Sequence, residues 1–516
     1  MIKNIYNIIL KTSAVLMIAA GSVSCLEKFP GDAILEGESM TSFKGAEQVL
    51  TGVYSAYMSG ALYSGYLTLL PDIQADLVHA VQGNSNNYGS IWQWDIRPTN
   101  SEIEAVYGSL YTVIARSNFY LDQVEELRET LIDEEEITFL DYYTGEVYCA
   151  RANAYAELLK CFCEAYDPQT AHQQRGVALD STYFGAKPAA PSTMKDSYAF
   201  VIRDLDKAIE LLDEDNDYYT NPYVTNAAAR AIRARVALYM QDWDKAIEYS
   251  TSVIENPAFS LAKSTVYTQG SDPMAYGAAR SFTYVDYMWT HDLSTEIIWQ
   301  IGFTPTSYGG SLGQVFLNFN NDYTYYYPDY MPDDWAVRLY ASTDARRTAY
   351  FRTLQTGYPG NPRLNLLVKY FGNHDKFIPV NIYHVSQPKP LRLAEQYLIR
   401  AEAYCRKATP DFGKANSDLA TLAQSRSASR AVVNAETWLD VISKERVKEL
   451  YMEGFRLHDL KRWNRGFKRE KQASAQDSYA STLEIKAGDY RFVWPIPQHE
   501  IEAPGSCMKG HQNKGY

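Results

Sequence analysis

Apolar stripes at three- and four-residue spacing recur along the 516 residues and constrain the fold more than any other feature of the chain. That spacing places apolar side chains on one face of an α-helix, and the face then needs a partner. From Phe139 to Tyr166 the stripe is Tyr143, Val147, Ala150, Ala154, Leu158 and Phe162. Gly45 to Met58 carries Val49, Val53 and Tyr57, and Glu102 to Leu127 reads as one further helix. After Asp196, Tyr198, Val201, Leu205, Ala208 and Leu212 share a face. Two helix pairs follow: Asn226 to Met240 with Asp242 to Glu255, and Leu393 to Ala408 with Asp418 to Arg426. Pro410 and Gly413 are assigned to the connection of the second pair. Helix pairs cannot bury such faces alone and stack into a solenoid-like core.

Within the first pair, the text ARVALYMQDWDKAIEYSTSVIENP resembles a tetratricopeptide repeat. Ala234, Ala237 and Ala246 permit close helix approach, and Pro257 ends the second helix. About 130 residues, Ser260 to Pro390, interrupt the pattern. This insert is rich in Gly, Pro, Tyr, Asn and Asp, with short strand-like runs such as Ile297 to Ile301. Loops on a rigid scaffold are where binding sites concentrate, so the ligand is expected here.

At the start, a basic stretch with Lys3 and Lys11 precedes an apolar run from Ala14 to Ala20, and Gly21 to Ser24 offer a small-residue cleavage site. About eight apolar residues are too few for a bilayer core of roughly 30 Å, so the segment reads as a secretory signal. Cys25 directly after it suggests a bacterial lipoprotein acylated on that cysteine. Ser22 stands where a bulky aliphatic residue is usual, and ordinary secretion is the alternative. Leu26 to about Met40 reads as a tether.

The net charge of −13 argues against nucleic acid, whose binding draws on clustered Lys and Arg. Besides Cys25 the chain has Cys149, Cys161, Cys163, Cys405 and Cys507, none at zinc spacing. Most are expected to be small buried hydrophobes. Tyrosine supplies 42 residues, enough to furnish both core and wet recognition surfaces.

Four ordered motifs mark the last third: RLAEQYLIRAEAY (Arg392 to Tyr404), ERVKELYMEGFRLHDLKRW (Glu445 to Trp463), VWPIPQHEI (Val493 to Ile501) and HQNKGY (His511 to Tyr516). With the lipoprotein start they make the chain similar to the SusD/RagB family of Bacteroidetes surface lipoproteins. The stretch Glu502 to Cys507 departs from the Asn-Pro usual in relatives. The resemblance implies a mostly α fold, with tetratricopeptide-like helix pairs carrying a loop-rich subdomain with short strands. It also implies an outer-membrane lipoprotein that packs on a SusC-like TonB-dependent transporter. Its other face would capture a glycan, or a peptide as in the RagB branch, without catalysis or cofactor. The expected division is 1–24 signal peptide, 25–40 lipidated tether, 41–259 N-terminal helical part, 260–390 ligand-binding insert and 391–516 C-terminal helical part and tail. Leu26 to Lys28 loosely echo an acidic surface-export signal.

Several patterns carry competing chemistry. On one helix from Glu445 to Trp463, Glu445, Glu449 and Glu453 would form a stripe. Carboxylate pairs can hydrolyse glycosides, but one helix face suits an ion-pair network better. Trp463 is expected to be a core anchor. Gly309 to Gly313 match the G-x-S-x-G nucleophile elbow around Ser311, without the strand that should lead directly into it. A hydrolase therefore stays a minor alternative, and a Gly-rich surface loop is expected. Asp72 and Asp76 alone do not make a calcium site, and metal binding is left open.

Two aromatic regions compete for the ligand. Ile91 to Ile96 reads as a strand that turns Trp92, Trp94 and Ile96 to one face, expected to be core. The loop beside it offers Asn84, Asn87 and Tyr88. In Asn318 to Tyr330, Pro328 favours an extended Tyr327, so Tyr325 and Tyr327 would share one side and Tyr326 the other. Trp289 and Tyr308, from the same insert, complete the candidate set.

Overall fold

The computed structural model describes residues 40–81, 87–184, 189–275, 277–319, 324–470 and 483–516. Cys25, the tether before Met40, and Asn84 lie outside these residues.

The main helices are α1 (Phe43–Tyr57), α2 (Ser101–Leu121), α3 (Glu134–Phe162), α4 (Met194–Leu211), α5 (Asn226–Tyr239), α6 (Trp243–Ile254), α7 (Leu393–Arg406), α8 (Phe412–Ser425), α9 (Trp438–Glu449) and α10 (Arg456–Arg462). Side-chain caps set many of the starts: Thr193, Thr225 and Asp242 accept from backbone N–H groups in the first turns of α4, α5 and α6. From α1 to α8 each helix packs on its successor, and α6 meets α7 although the insert separates them in sequence. Ala234, Ala237, Ala246 and Ala403 are all buried at the α5–α6–α7 seam. The expected helix-pair stack is present, and the insert leaves it unbroken.

Several boundaries differ from the sequence reading. The helix expected over Glu102 to Leu127 ends at Leu121, and a separate helix spans Val124–Thr130. The helix expected from Asp418 starts at Phe412, because the Asp411 carboxylate caps Lys414 N–H; Gly413 is helical. Glu445 to Trp463 is two helices, α9 and α10, with a bend between them.

Long-range capping makes that bend. The buried Asp72 carboxylate accepts from Gly454 N–H (3.0 Å) and Arg456 N–H (2.8 Å), while Asp76 accepts from Arg456 Nε (2.7 Å). Met452 and Gly454 take positive φ, and a Cβ on Gly454 would lie 2.7 Å from the Leu67 carbonyl oxygen. The two aspartates of the sequence analysis are therefore clamps for a turn.

Strands are short: among the described residues, each of six sheets is one antiparallel pair. Ile297–Trp299 pairs with Leu391–Arg392, joining the insert to the start of α7. Trp92, Trp94 and Ile96 are buried as expected, but not on a strand. Gly89–Trp92 is one helical turn, and Trp94 follows with φ of 62°. A helical turn at Trp92 and left-handed backbone at Trp94, not period-two alternation, set the two indoles.

The terminal motifs latch the ends together. Trp494 Nε1 donates to Gln74 Oε1 (2.8 Å), and Asn513 Nδ2 donates to the carbonyls of Phe162 (2.9 Å) and Trp494 (2.6 Å). Arg175 donates to the carbonyls of His511 and Gln512, and Tyr516 Oη to that of Val493.

Candidate functional site

The insert holds an open cleft of about 600 Å³. Two hairpins frame it: Val266–Asp272 with Ala278–Thr283, and Phe351–Gln355 with Arg363–Leu367. Tyr326 is fixed against the second of them. It bridges Phe319 on one side and Thr356 on the other, and its N–H donates to the Gln355 carbonyl (3.1 Å). The aromatic wall runs from Tyr326 through Phe319 (5.9 Å between rings) and Tyr383 (5.1 Å) to Phe371 (6.1 Å). The rings meet edge to face, which leaves part of each face for other contacts. Arg352, Arg363, Thr353 and Gln355 supply the polar side. Apolar faces beside fixed hydrogen-bond donors suit a hydroxylated ring with one apolar side.

Behind the wall, His384 is buried with its ring 4.9 Å from Phe319, and burial pushes it down to about 4. Its folded value lies below the unfolded one near ~6.5. The neutral ring's contribution is therefore intact above pH ~6.5 and lost as pH falls toward about 4. Between pH 7 and pH 5, wild type is expected to lose ~2 kcal/mol relative to His384→Leu. Urea unfolding of both proteins at the two pH values checks this; parallel pH profiles would refute it.

The structure sorts the candidate residues. Tyr326 is the buried member of the triplet, with Tyr325 and Tyr327 half-buried, as the period-two alternation requires. Tyr327 packs on Tyr358 (5.8 Å) and lies over Gly357, where a Cβ would come within 2.0 Å of its ring. Asn87 and Tyr88 adjoin this segment: Asn87 Nδ2 donates to Asp329 (2.6 Å), and Tyr330 Oη donates to the Asn87 carbonyl (2.5 Å). Tyr88 is half-buried against Tyr66, and burial raises its hydroxyl to about 12. Tyr308 is 42% exposed, with its ring edge-on to Phe377.

Trp289 requires correction. It is 2% exposed, and the Lys369 ammonium sits 4.0 Å from its ring centroid with Lys389 and Arg392 close by. A ring covered by three cations is packed in the interior, and Trp289 does not line the open cleft of the insert. Sequence reasoning missed Phe319, Phe371, Tyr383, Arg352 and Arg363. They come from separate segments between Phe319 and Tyr383, and only the packing of those segments around the cleft brings them together.

The glutamate stripe forms an ion-pair network, as expected. Glu449 accepts from Arg346 (3.0 Å), Arg392 (3.0 Å) and Arg426 (2.8 Å), all fully buried. Glu453 is beyond the bend and pairs with Lys369 (2.6 Å) and Arg392 (2.7 Å). Glu445 pairs with Lys448. Burial opposes ionisation of Glu449, but the three guanidiniums outweigh it and hold the carboxyl well below the usual range. Trp463 is buried as expected, and its Nε1 donates to Glu402 (2.9 Å).

The glycines around Ser311 also have a packing reason. A Cβ on Gly309 would lie 2.1 Å from the Met58 carbonyl oxygen, and Gly310 N–H donates to Ser64 Oγ (2.9 Å). Among the described residues, no cluster of three or more His, Cys, Asp and Glu is placed to hold a metal ion. Cys149, Cys161, Cys163 and Cys405 are buried free thiols, and Cys507 is exposed. No helix of the described residues is long and apolar enough to cross a membrane.

A stack of helix pairs that presents an open aromatic cleft on a loop-rich insert defines a helical-repeat scaffold of the tetratricopeptide-like class. Residues 38–238 match the family model described as starch-binding associating with outer membrane, and residues 353–516 match the SusD family model. The chain belongs to the SusD/RagB family. Solved structures agree on the fold. A SusD superfamily protein from Bacteroides thetaiotaomicron is 22% identical with a TM-score of 0.74, over 92% of this chain and 99% of its own. A SusD-like carbohydrate binding protein from Bacteroides vulgatus is 18% identical with a TM-score of 0.69, covering 89% and 96%. Surface glycan-binding protein A from Bacteroides fluxus is 18% identical with a TM-score of 0.65, covering 92% and 99%. No curated protein matches the sequence.

Proposed function

We propose that this protein is a cell-surface lipoprotein, acylated on Cys25, that captures a glycan and passes it to a SusC-like TonB-dependent transporter in the outer membrane. It acts by binding and not by catalysis. The observation that carries this reading is the open cleft of the insert, in which an aromatic wall faces arginine, threonine and glutamine side chains. Rings stack on the apolar side of a sugar while the polar groups bond its hydroxyls. Family membership and the kinds of relatives that share the fold point the same way. Asn87 and Tyr88 adjoin Asp329 and Tyr330, Tyr325 and Tyr327 flank Tyr326 in sequence, and these residues would extend the contact surface beyond the cleft.

Electrophoresis through gels cast with a panel of polysaccharides tests the reading. Wild type is expected to be retarded by at least one of them. Tyr383→Ala removes a half-buried wall ring and is expected to weaken that retardation roughly ten- to hundredfold, by analogy with stacking on bases. Its melting temperature should change little. Equal retardation of both proteins would remove the cleft from the binding site.

A further inference from the structure

We infer that the glycan taken by the cleft is acidic, with carboxylate or sulfate groups that meet Arg352 and Arg363. This deepens the glycan-capture reading and rests on it. The chain as a whole carries a net charge of −13, yet among the described residues that line the cleft there are two guanidiniums and no carboxylate. An overall negative charge would repel an acidic polymer at long range. Over a Debye length of roughly 8–10 Å that repulsion is screened, and the local groups decide.

The two arginines are held differently. Arg352 Nη1 donates to Asp272 (2.6 Å), a carboxylate that is 3% exposed and behind the lining. Asp272 also accepts from Met274 N–H (3.0 Å), so one buried carboxylate fixes both the hairpin turn and the guanidinium. Arg352 is thereby positioned and partly compensated. Arg363 is exposed, and its Nη2 donates to the Thr353 carbonyl (3.0 Å). That contact orients the side chain without neutralising it, and Arg363 makes no ion pair among the described residues. Its position is set by the strand register, which places it opposite Gln355. A planar guanidinium so held retains donors that match a carboxylate in a forked, two-bond geometry. Neutral sugars need only hydroxyl-bonding groups, which asparagine or glutamine supply without leaving a positive charge uncompensated. Aromatic rings for the apolar face of the sugar, with an oriented cation at the edge, describe a site for uronic acid or sulfated residues.

Affinity gels test this with two sets of probes: polygalacturonate, alginate, hyaluronan and chondroitin sulfate against starch, galactan, arabinan and mixed-linkage β-glucan. Polyglutamate serves as a non-glycan polyanion. Wild type is expected to be held by an acidic polysaccharide, and less so as ionic strength rises. Arg363→Gln should weaken that retention roughly tenfold or more, with an unchanged melting temperature. Reducing the carboxyl groups of the same polymer, or removing its sulfate, should have a similar effect on wild type. Retention by neutral polysaccharides alone, or an Arg363→Gln variant that holds the acidic polymer as wild type does, would overturn the inference and leave glycan capture standing. Retention by polyglutamate but by no polysaccharide would make the occupant an acidic peptide and overturn it as well. If no polymer retains the protein, glycan capture itself fails, and the inference with it.

Discussion

Replacing Glu449 by alanine is expected to destabilise the protein by ~3–5 kcal/mol, because it leaves three buried guanidiniums without their shared counter-charge. Arg346, Arg392 and Arg426 come from the insert, from the start of α7 and from the end of α8, and each donates to this one carboxylate. Arg392 and Arg426 have a second partner in Glu296, at 2.6 and 2.8 Å, and Arg346 has one in Asp344 at 2.7 Å. The desolvation penalty of these ions is offset only while the set is complete, since removing one partner strands the others in a low-dielectric interior. Glu449→Gln keeps the shape and some hydrogen bonds, so its cost should fall below that of alanine but remain measurable. The urea midpoint reads both. A Glu449→Ala variant with a wild-type midpoint would mean that the arginines find water or new partners, and that the network does not join insert and scaffold energetically. Below pH ~4 the difference should shrink. The depressed carboxyl contributes above the unfolded carboxylate range near ~4.3 and loses that contribution as pH falls.

Trp94→Ala is expected to cost a similar ~3–5 kcal/mol, with no specific effect on ligand. The indole is 2% exposed and meets Phe492 edge-on at 5.0 Å and Phe467 at 5.6 Å. Its Nε1 donates to the Gln74 carbonyl at 2.5 Å, so truncation opens a cavity and also removes a buried hydrogen bond. Trp94 and the cleft ring Tyr383 form a contrast between core and site. Trp94→Ala should lower the melting temperature and bind glycan normally while folded, and Tyr383→Ala should do the reverse. A well-folded Trp94→Ala that no longer binds would place the site at the Trp94 segment instead of the cleft.

The motifs that make this chain recognisable are mostly joints of the fold. Arg392 of the first motif and Glu449 of the second meet in the buried network, and in the last two Trp494 is tied to Gln74 and Asn513 to the end of α3. The cleft draws on none of them. The motifs therefore carry the scaffold, and the ligand chemistry is left to the loops of the insert.

What the sequence determined by itself was whatever depends on near neighbours in the chain. Stripes at helical spacing marked nearly every long helix, and capping residues such as Thr193 and Asp242 set their starts. The alternation of Tyr325, Tyr326 and Tyr327 also followed from backbone geometry alone. The bend between α9 and α10 did not, because the carboxylate that holds it belongs to Asp72, 382 residues before Gly454. Trp289 was misplaced for the same reason: an aromatic in a loop-rich insert reads as exposed until Lys369, Lys389 and Arg392 fold over it. The cleft was decided last of all. Its rings and arginines carry no periodic signal, and each hairpin must form and Tyr326 must bridge Phe319 to Thr356 before they share one wall. Local backbone preferences act over a few residues and can be read directly, whereas burial and ion pairing are settled by which distant segments meet.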